Sequence, residues 1–178
     1  MTVQLVTSSE PAHAAGRSKM LVAYLTRTGN TRVIAGQISR ALGADLFEIE
    51  TTDAYPEDYL EMVAQAERER ERKAGFEPPL KALVPDLQAY DTVFLGFPIW
   101  GQTAPSVIRS FLSKHDLNGK SLIPFVTHGG YGLGSSLEVI AAHAPGATLH
   151  DGLTMEADQE RRTMETVKAW LDDQPQLR

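Results

Sequence analysis

The hydrophobic pattern of the chain switches repeatedly between the spacing of a strand and that of a helix. Nearly continuous apolar runs at residues 21–25, 91–97 and 121–126 are typical of strands that are buried on both faces. Residues 45–50 alternate between polar and apolar, as a half-buried strand does, and a last strand is predicted near residues 147–153. A stretch with helical spacing follows each strand, so the pattern predicts the order βαβαβαβαβα.

Two of the predicted helices carry most of the polar and aromatic detail. The second helix is predicted to open at Tyr55 and to run to Gly75, and its charged stretch, residues 67–73, is interpreted as a solvated face with ion pairs. Such pairs contribute roughly 0.2–0.5 kcal/mol each. The last helix has an apolar face formed by Met164, Val167, Trp170 and Leu171. We therefore interpret Trp170 as a core residue.

Composition limits the class of protein. The chain has 178 residues, of which 42% are hydrophobic, and this suits one compact domain. A net charge of −6 disfavours nucleic acid and anionic membranes as partners. The absence of cysteine excludes disulfides, thiolate catalysis and iron–sulfur clusters. No apolar run reaches the roughly 20 residues of a spanning helix, so we expect a soluble, cytoplasmic protein.

Loops rich in glycine, threonine and aromatic residues follow the first, third and fourth strands, at residues 26–31, 98–105 and 127–136. Strands linked by helices make a parallel sheet that is covered on both faces. In the strand order 2-1-3-4-5 these three strands are neighbours, so their loops converge at one end of the sheet. Ligands of such sheets bind beyond the carboxyl ends of the strands. The sequence therefore predicts a ligand site there.

The loop after the first strand has the chemistry of a phosphate cradle. Thr26, Thr28 and Thr31 offer hydroxyl groups, and Gly29 lets the backbone approach an anion closely. The helix that follows presents unpaired N–H groups and the positive end of its dipole. The alternative interpretation is that Asn30 or Thr31 simply caps this helix.

Other chemistries fail on their spacing. Residues 119–121 read Gly-Lys-Ser but lack the first glycine of a Walker A loop and precede a strand. Gly130 and Gly132 have no third glycine at the spacing of a dinucleotide fingerprint. Residues 128–130 read His-Gly-Gly without any Gly-x-Ser-x-Gly elbow in the chain, and the five histidines show no metal-ligand spacing.

Three motifs taken together resemble the flavodoxins. They are Thr-x-Thr-Gly-x-Thr at residues 26–31, the stretch at 90–101 and the stretch at 123–130, and the resemblance covers residues 19–170. It implies a flavodoxin-like α/β fold, a single-domain three-layer sandwich with a five-stranded parallel sheet in the order 2-1-3-4-5. We take residues 1–18 as an N-terminal extension and residues 19–178 as the domain.

The resemblance also implies FMN as the cofactor. By it, the loop at residues 26–31 binds the phosphate, residues 98–101 cover one face of the flavin ring, and residues 127–132 line the other side. The implied cofactor-binding residues are Thr26, Arg27, Thr28, Gly29, Asn30, Thr31, Pro98, Ile99, Trp100, Gly101, Thr127, His128, Gly129, Gly130, Tyr131 and Gly132. No metal ligand and no catalytic side chain is predicted.

Within this set, Trp100 is predicted to stack on the ring, because it follows a buried strand and precedes a glycine. Tyr131 could lie over the ring or away from it, and His128 could be near the flavin or in solvent. Gly101 is predicted to let the preceding peptide change its orientation when the flavin is reduced, since glycine tolerates positive φ.

The function implied is electron transfer through a bound flavin, with a redox protein or a small electron acceptor as partner and a monomer or weak dimer as the assembly. Trp100 over one ring face favours such a carrier, since hydride transfer needs a face open to nicotinamide. The alternative is an NAD(P)H-dependent FMN oxidoreductase of the quinone reductase type on the same fold, which fold alone does not separate from a carrier.

Overall fold

The computed structural model describes residues 19–72, 75–156 and 160–174, with the side chains of residues 160–165 left out. The predicted N-terminal extension therefore lies outside the described residues, as does the side chain of Met164. The boundary between extension and domain stays a prediction.

The sheet has the predicted topology. Its strands are β1 (Met20–Tyr24), β2 (Asp45–Glu48), β3 (Thr92–Pro98), β4 (Ser121–His128), β5 (Thr148–Leu149) and β6 (Leu153–Glu156). All pair in parallel, in the order β2-β1-β3-β4-β5, and β6 also pairs with β4. The flavodoxin-like α/β fold and its strand order are confirmed.

The predicted fifth strand is divided into β5 and β6. Leu122 of β4 lies opposite Leu149, whereas Phe125 lies opposite Leu153, so the outer strand has one residue more than β4 between these pairs. The Leu122 carbonyl accepts a hydrogen bond from the N–H of His150. Pro124, two residues on, faces the same neighbour but has no N–H to donate. The ladder is therefore interrupted opposite this proline.

Within the described part of the chain, five α-helices complete the layers. They are α1 (Asn30–Leu42), α2 (Tyr59–Glu71), α3 (Ser106–Lys114), α4 (Ser136–His143) and α5 (Glu160–Asp172), and a short 3-10 helix spans Leu87–Ala89. Among the residues that the structure describes, no helix combines the length and the apolar character needed to cross a bilayer.

The predicted bounds of the second helix were wrong at both ends. Asp58 is its N-cap, because its carboxylate accepts hydrogen bonds from the N–H groups of Leu60 and Glu61, so α2 begins at Tyr59 and not at Tyr55. At its other end the backbone becomes extended at Arg72, before the glycine that was expected to stop it.

Alternate residues of the strands supply two apolar cores. Leu21 and Ala23 belong to the core under α2, α3 and α4, whereas Val22 and Tyr24 belong to the core under α1 and α5. Phe125 packs in the second core so closely over Gly96 that a β-carbon at that glycine would collide with its ring. Trp170 packs edge-on against Phe94, with ring centroids 5.9 Å apart, in agreement with the core position predicted for it.

His115 joins the end of α3 to the extended segment before β3. Its Nδ1 lies 2.7 Å from the Phe111 carbonyl and its Nε2 accepts from the Val84 N–H at 3.0 Å, so the neutral ring has a hydrogen bond at each nitrogen. The imidazole is buried, and burial lowers its pKa from the ordinary value of 6.5. Protonation would leave the Val84 N–H facing another donor.

We therefore expect His115 to make the fold less stable in acid. Because its pKa is lower in the folded protein than in the unfolded chain, its stabilising effect is complete above pH 6.5 and is lost as the pH falls towards the lowered value. Urea unfolding between pH 5 and pH 8 should show this, with a slope of at most about 1.4 kcal/mol per pH unit from one proton. His115→Gln should flatten the slope relative to the parent protein. Equal slopes in the two proteins would contradict the assignment.

Candidate functional site

A cavity of about 610 Å³ lies at the carboxyl ends of β1, β3 and β4, where the three predicted loops meet α2. Most of the predicted site residues line it. They are Thr26, Arg27, Thr28, Asn30, Thr31, Pro98, Ile99, Trp100, Gly101, Thr127, His128, Gly129 and Tyr131. The loops that the sequence placed together are thus neighbours around one space.

The other three predicted residues, Gly29, Gly130 and Gly132, do not line the cavity. All three have positive φ, so they shape the loops that carry the lining residues. Gly130 also donates its N–H to Nδ1 of His128 at 3.0 Å.

The first loop leaves the N-terminus of α1 open to the cavity. Gly29 is the N-cap, with φ 95°, and no side chain caps the helix. Its own N–H donates to Oγ1 of Thr26 at 3.1 Å, which closes the loop on itself. The interpretation of Asn30 or Thr31 as an ordinary cap is therefore wrong. Free N–H groups and the helix dipole make such an end suited to an anion.

Arg27 brings a cation and an unpaired donor to the same end of the cavity. Its Nη2 donates to the Glu57 carbonyl at 3.0 Å, and its guanidinium lies 5.4 Å from the centre of the Tyr59 ring. Its Nε is buried and has no hydrogen-bond partner among the described residues. A buried donor without a partner costs roughly 1–3 kcal/mol, so this atom fits a ligand acceptor that would satisfy it.

Two buried hydroxyl groups tie the first loop to the third. Oγ1 of Thr31 lies 3.0 Å from Oγ1 of Thr127, and the exposed fractions of the two residues are 1% and 4%. This bond joins the first turn of α1 to the end of β4 across the floor of the cavity. Thr31 therefore holds the two walls together, while Thr28 is exposed at the rim.

The second loop is a tight turn. The N–H of Trp100 donates to the Thr103 carbonyl at 3.1 Å, and the two residues between them, Gly101 and Gln102, have φ values of 59° and 65°. Gln102 is one of two described non-glycine residues with positive φ. Gly101 thus has the positive φ that the sequence analysis allowed it, although the predicted change on reduction stays a prediction.

Trp100 is more deeply packed than its predicted role suggested. Only 9% of its surface is exposed, and its ring meets Tyr55 edge-on with centroids 4.7 Å apart at 76°. The small exposed part of Trp100 lines the cavity, and its stacking on a flavin stays a prediction. Tyr131, by contrast, is 78% exposed at the rim.

The third loop is bonded to the second. The Ser135 N–H donates to the Gln102 carbonyl at 3.0 Å, and its hydroxyl donates to Oγ1 of Thr103 at 3.0 Å. Gly134 lies so close to Gln102 that a β-carbon there would collide with the Gln102 carbonyl. The turn after β3 is therefore held on the side of α4 by backbone and side-chain bonds.

The sequence analysis missed one wall of the cavity. That wall is mostly the face of α2 that carries Tyr59, Met62, Val63, Ala66, Glu67 and Arg70, and Gln102 adds to it from the turn. Helical spacing of Met62, Val63 and Ala66 indicates a buried face, but the pattern does not say what that face covers.

One residue of the charged stretch, Glu69, is not part of a solvated face, whereas a second residue, Arg70, is exposed but bonds to the turn after β3. Glu69 is 6% exposed and accepts hydrogen bonds from the hydroxyl of Tyr55 and the amide of Gln65. Arg70 donates to the Gly101 carbonyl at 2.9 Å. Among the residues of this stretch that the structure describes, the predicted intrahelical ion pairing is present at one place, where Arg70 and Glu67 are 3.8 Å apart.

Comparison with known proteins shows which family the chain resembles in sequence and in structure. The model of the family described as Flavodoxin matches residues 19–174. A candidate flavoprotein from Bacteroides eggerthii DSM 20697 is 32% identical over 87% of this chain and 96% of its own, with a TM-score of 0.75. One from Bacteroides uniformis ATCC 8492 is 29% identical over 88% and 99%, with a TM-score of 0.77. A search of curated proteins found no match.

The fold is also that of a flavoprotein from Lactobacillus acidophilus NCFM, solved in complex with FMN. It is 19% identical over 83% of this chain and 99% of its own, with a TM-score of 0.68. Sheet order, loop convergence and these likenesses define an α/β protein of the doubly wound class with a ligand cavity at its switch point. The chain belongs to the flavodoxin family.

We expect the Thr31–Thr127 bond to appear as coupling between the two residues. Removing one hydroxyl leaves the other buried without its partner, which costs roughly 1–3 kcal/mol, whereas removing both can be nearly neutral. Thr31→Val and Thr127→Val should each lower the free energy of unfolding in urea by about that amount. The double variant should lose clearly less than the sum of the two. Strictly additive losses would show that the hydroxyl groups do not support each other.

Proposed function

We propose that this protein binds FMN in the cavity and passes electrons through it. The observation that carries the proposal is the meeting of an uncapped helix N-terminus and a buried, unpaired Nε of Arg27 at one end of the cavity. Both offer hydrogen-bond donors that have no acceptor among the described residues, and a terminal phosphate dianion supplies several acceptor oxygens. Family membership and the FMN complex of the Lactobacillus acidophilus relative support the same cofactor.

The remainder of the cavity suits the flavin ring. Ile99 and Trp100 lie on the side of the second loop, and Met62 and Val63 face the cavity from α2. These apolar groups would bind the ring and exclude water from it, while the phosphate end fixes its orientation. The bound flavin supplies the redox chemistry, and the protein supplies binding, orientation and electrostatics. A redox protein or a small acceptor would take up the electrons.

A second function, NAD(P)H-dependent FMN oxidoreductase, is favoured by one observation. Trp100 is 9% exposed and packed against Tyr55, so it offers less cover to a ring face than the sequence analysis assumed. An open face is what a nicotinamide would need. The wall that α2 provides argues in the other direction, since it narrows access to the same cavity.

We expect the protein to bind FMN much more tightly than riboflavin. Hydrogen bonds to a charged group contribute about 1.5–3 kcal/mol each, so loss of two of them should weaken binding at least about a hundredfold. Titration of the apoprotein with each ligand, followed by flavin fluorescence, measures the difference. Equal affinities would contradict the assignment of the first loop to the phosphate.

A pair of variants separates this binding effect from loss of stability. Gly29 and Gly43 stand at the two ends of α1, both have positive φ, and a β-carbon at either would meet no atom within 4 Å. Alanine at either position should cost about 1–2 kcal/mol of stability from backbone strain. Only Gly29→Ala should also reduce the preference for FMN over riboflavin.

The two functions are separated by mixing the FMN-loaded protein with NADPH in a stopped-flow instrument under anaerobic conditions. The carrier proposal expects that the visible absorbance band of the oxidised flavin stays unchanged over seconds, while a chemical reductant bleaches it. Rapid bleaching by NADPH would instead establish the oxidoreductase.

A further inference from the structure

Glu69 and Arg70, two consecutive residues of α2, support the turn after β3 in different ways. Arg70 contacts the turn directly, whereas Glu69 contacts it through Tyr55. The buried carboxylate of Glu69 accepts a hydrogen bond from the Tyr55 hydroxyl at 2.9 Å. Gln65, one helical turn earlier, donates to the other carboxylate oxygen at 3.1 Å. Glu69 is thus buried with a hydrogen bond at each oxygen, which is the condition under which a buried carboxylate is tolerated.

Tyr55 links Glu69 to Trp100, because its hydroxyl bonds to Glu69 and its ring packs on the Trp100 ring. The two rings meet edge-on, with centroids 4.7 Å apart, and edge-to-face pairs of this kind prefer a particular geometry. Burial and the neighbouring Glu69 carboxylate hold the pKa of Tyr55 above its usual range, so its hydroxyl remains a donor to Glu69. The orientation of the Tyr55 ring is therefore fixed by two contacts, the hydrogen bond of its hydroxyl to Glu69 and the packing of its ring on Trp100.

Arg70 acts on the same turn directly. Its Nη1 donates to the Gly101 carbonyl at 2.9 Å, and its guanidinium lies so near Gly101 that a β-carbon there would collide with it. The next carbonyl along, that of Gln102, accepts the Ser135 N–H. Both residues of the turn that have positive φ are therefore bonded from outside it, one from α2 and one from the third loop.

These contacts explain why Gln102 keeps a positive φ of 65° although it has a β-carbon. Positive φ at a residue with a β-carbon costs roughly 1–3 kcal/mol and is maintained only where the surroundings impose it. Hydrogen bonds from Arg70 and Ser135 and the packing of Tyr55 on Trp100 are such surroundings.

We propose that Glu69 and Arg70 are positioning residues that together hold the Trp100–Thr103 turn against the flavin, and that the positive charge of Arg70 raises the reduction potential of the bound cofactor. The second part rests on the proposed function. Arg70 brings positive charge to the cavity wall, and reduction adds electrons to the ring inside that cavity. Its charge therefore favours the reduced form over the oxidised one.

The first test uses the apoprotein and so does not depend on FMN. In a Trp170→Phe background Trp100 is the one tryptophan of the chain, so its fluorescence under tryptophan-selective excitation and the tryptophan bands of the near-ultraviolet circular dichroism report it. Tyr55→Phe keeps the ring but removes its bond to Glu69, and Glu69→Ala removes the acceptor. Both should change the Trp100 signals, whereas Glu69→Gln, which keeps an acceptor oxygen, should restore most of the parent spectrum. Unchanged signals in Tyr55→Phe and Glu69→Ala would overturn the role of Glu69.

The second test measures the potential of the FMN-loaded protein. Arg70→Gln should lower the affinity for reduced FMN relative to oxidised FMN by about tenfold, which is about 30 mV for a two-electron couple. Arg68→Gln removes the same charge from an exposed position of the same helix and is the matched control. Arg70→Lys keeps the charge but not the guanidinium, and should recover part of the shift. Equal potentials in the Arg70→Gln and Arg68→Gln proteins would overturn the role of Arg70.

The two tests also separate this proposal from the proposed function. If the apoprotein spectra respond as expected but FMN does not bind, the positioning of the Trp100–Thr103 turn by Glu69 is supported. The proposed function and the effect of Arg70 on the potential are then both contradicted. If FMN binds and neither the spectra nor the potential respond, the proposed function is supported and the roles of Glu69 and Arg70 are wrong. If Glu69→Ala fails to fold, Tyr55→Phe tests the same hydrogen bond from its other partner, and if Arg70→Gln fails to fold, Gly101 keeps its carbonyl and Arg70→Lys tests the guanidinium contact.

Discussion

The open N-terminus of α1 is the feature on which the rest of the site depends. An uncapped helix end carries N–H groups and a partial positive charge that water or a ligand must satisfy. Gly29 creates that end by adopting positive φ, and the bond from its N–H to Thr26 keeps the loop closed. The Thr31–Thr127 bond then places the helix end beside the third loop. The anion site that we propose here would be built largely from backbone, with Arg27 as its charged side chain.

The walls of the cavity around the N-terminus of α1 are held in place by hydrogen bonds to one another. The third loop bonds to the second at Gln102, α2 bonds to the second at Gly101, and Arg27 reaches from the first loop to the Glu57 carbonyl just before α2. Each wall is therefore positioned by another wall as well as by the sheet. A ligand that enters meets surfaces already held in place, which lowers the entropy lost on binding.

The parts that the sequence predicted are those with local causes. Buried strands and loop positions follow from hydrophobic period and turn chemistry, and the order of the parallel strands was implied by the resemblance to the flavodoxins; these were correct. The split of the fifth strand required knowing that Pro124 faces that neighbour. The roles of Glu69 and Arg70 were not predictable either, since a charged stretch is interpreted as solvated until the fold shows that Glu69 is buried and that the exposed Arg70 bonds to Gly101. Trp100 was placed at the cavity correctly, but its packing on Tyr55 joins residues far apart in sequence.

The most direct test of the account is a crystal structure of the protein with FMN. We predict phosphate oxygens within about 3.2 Å of backbone N–H groups at the start of α1 and of Nε of Arg27. The ring should lie between the turn after β3, the loop after β4 and the face of α2 that carries Met62. A phosphate bound elsewhere, with the helix end facing only water, would contradict the central claim.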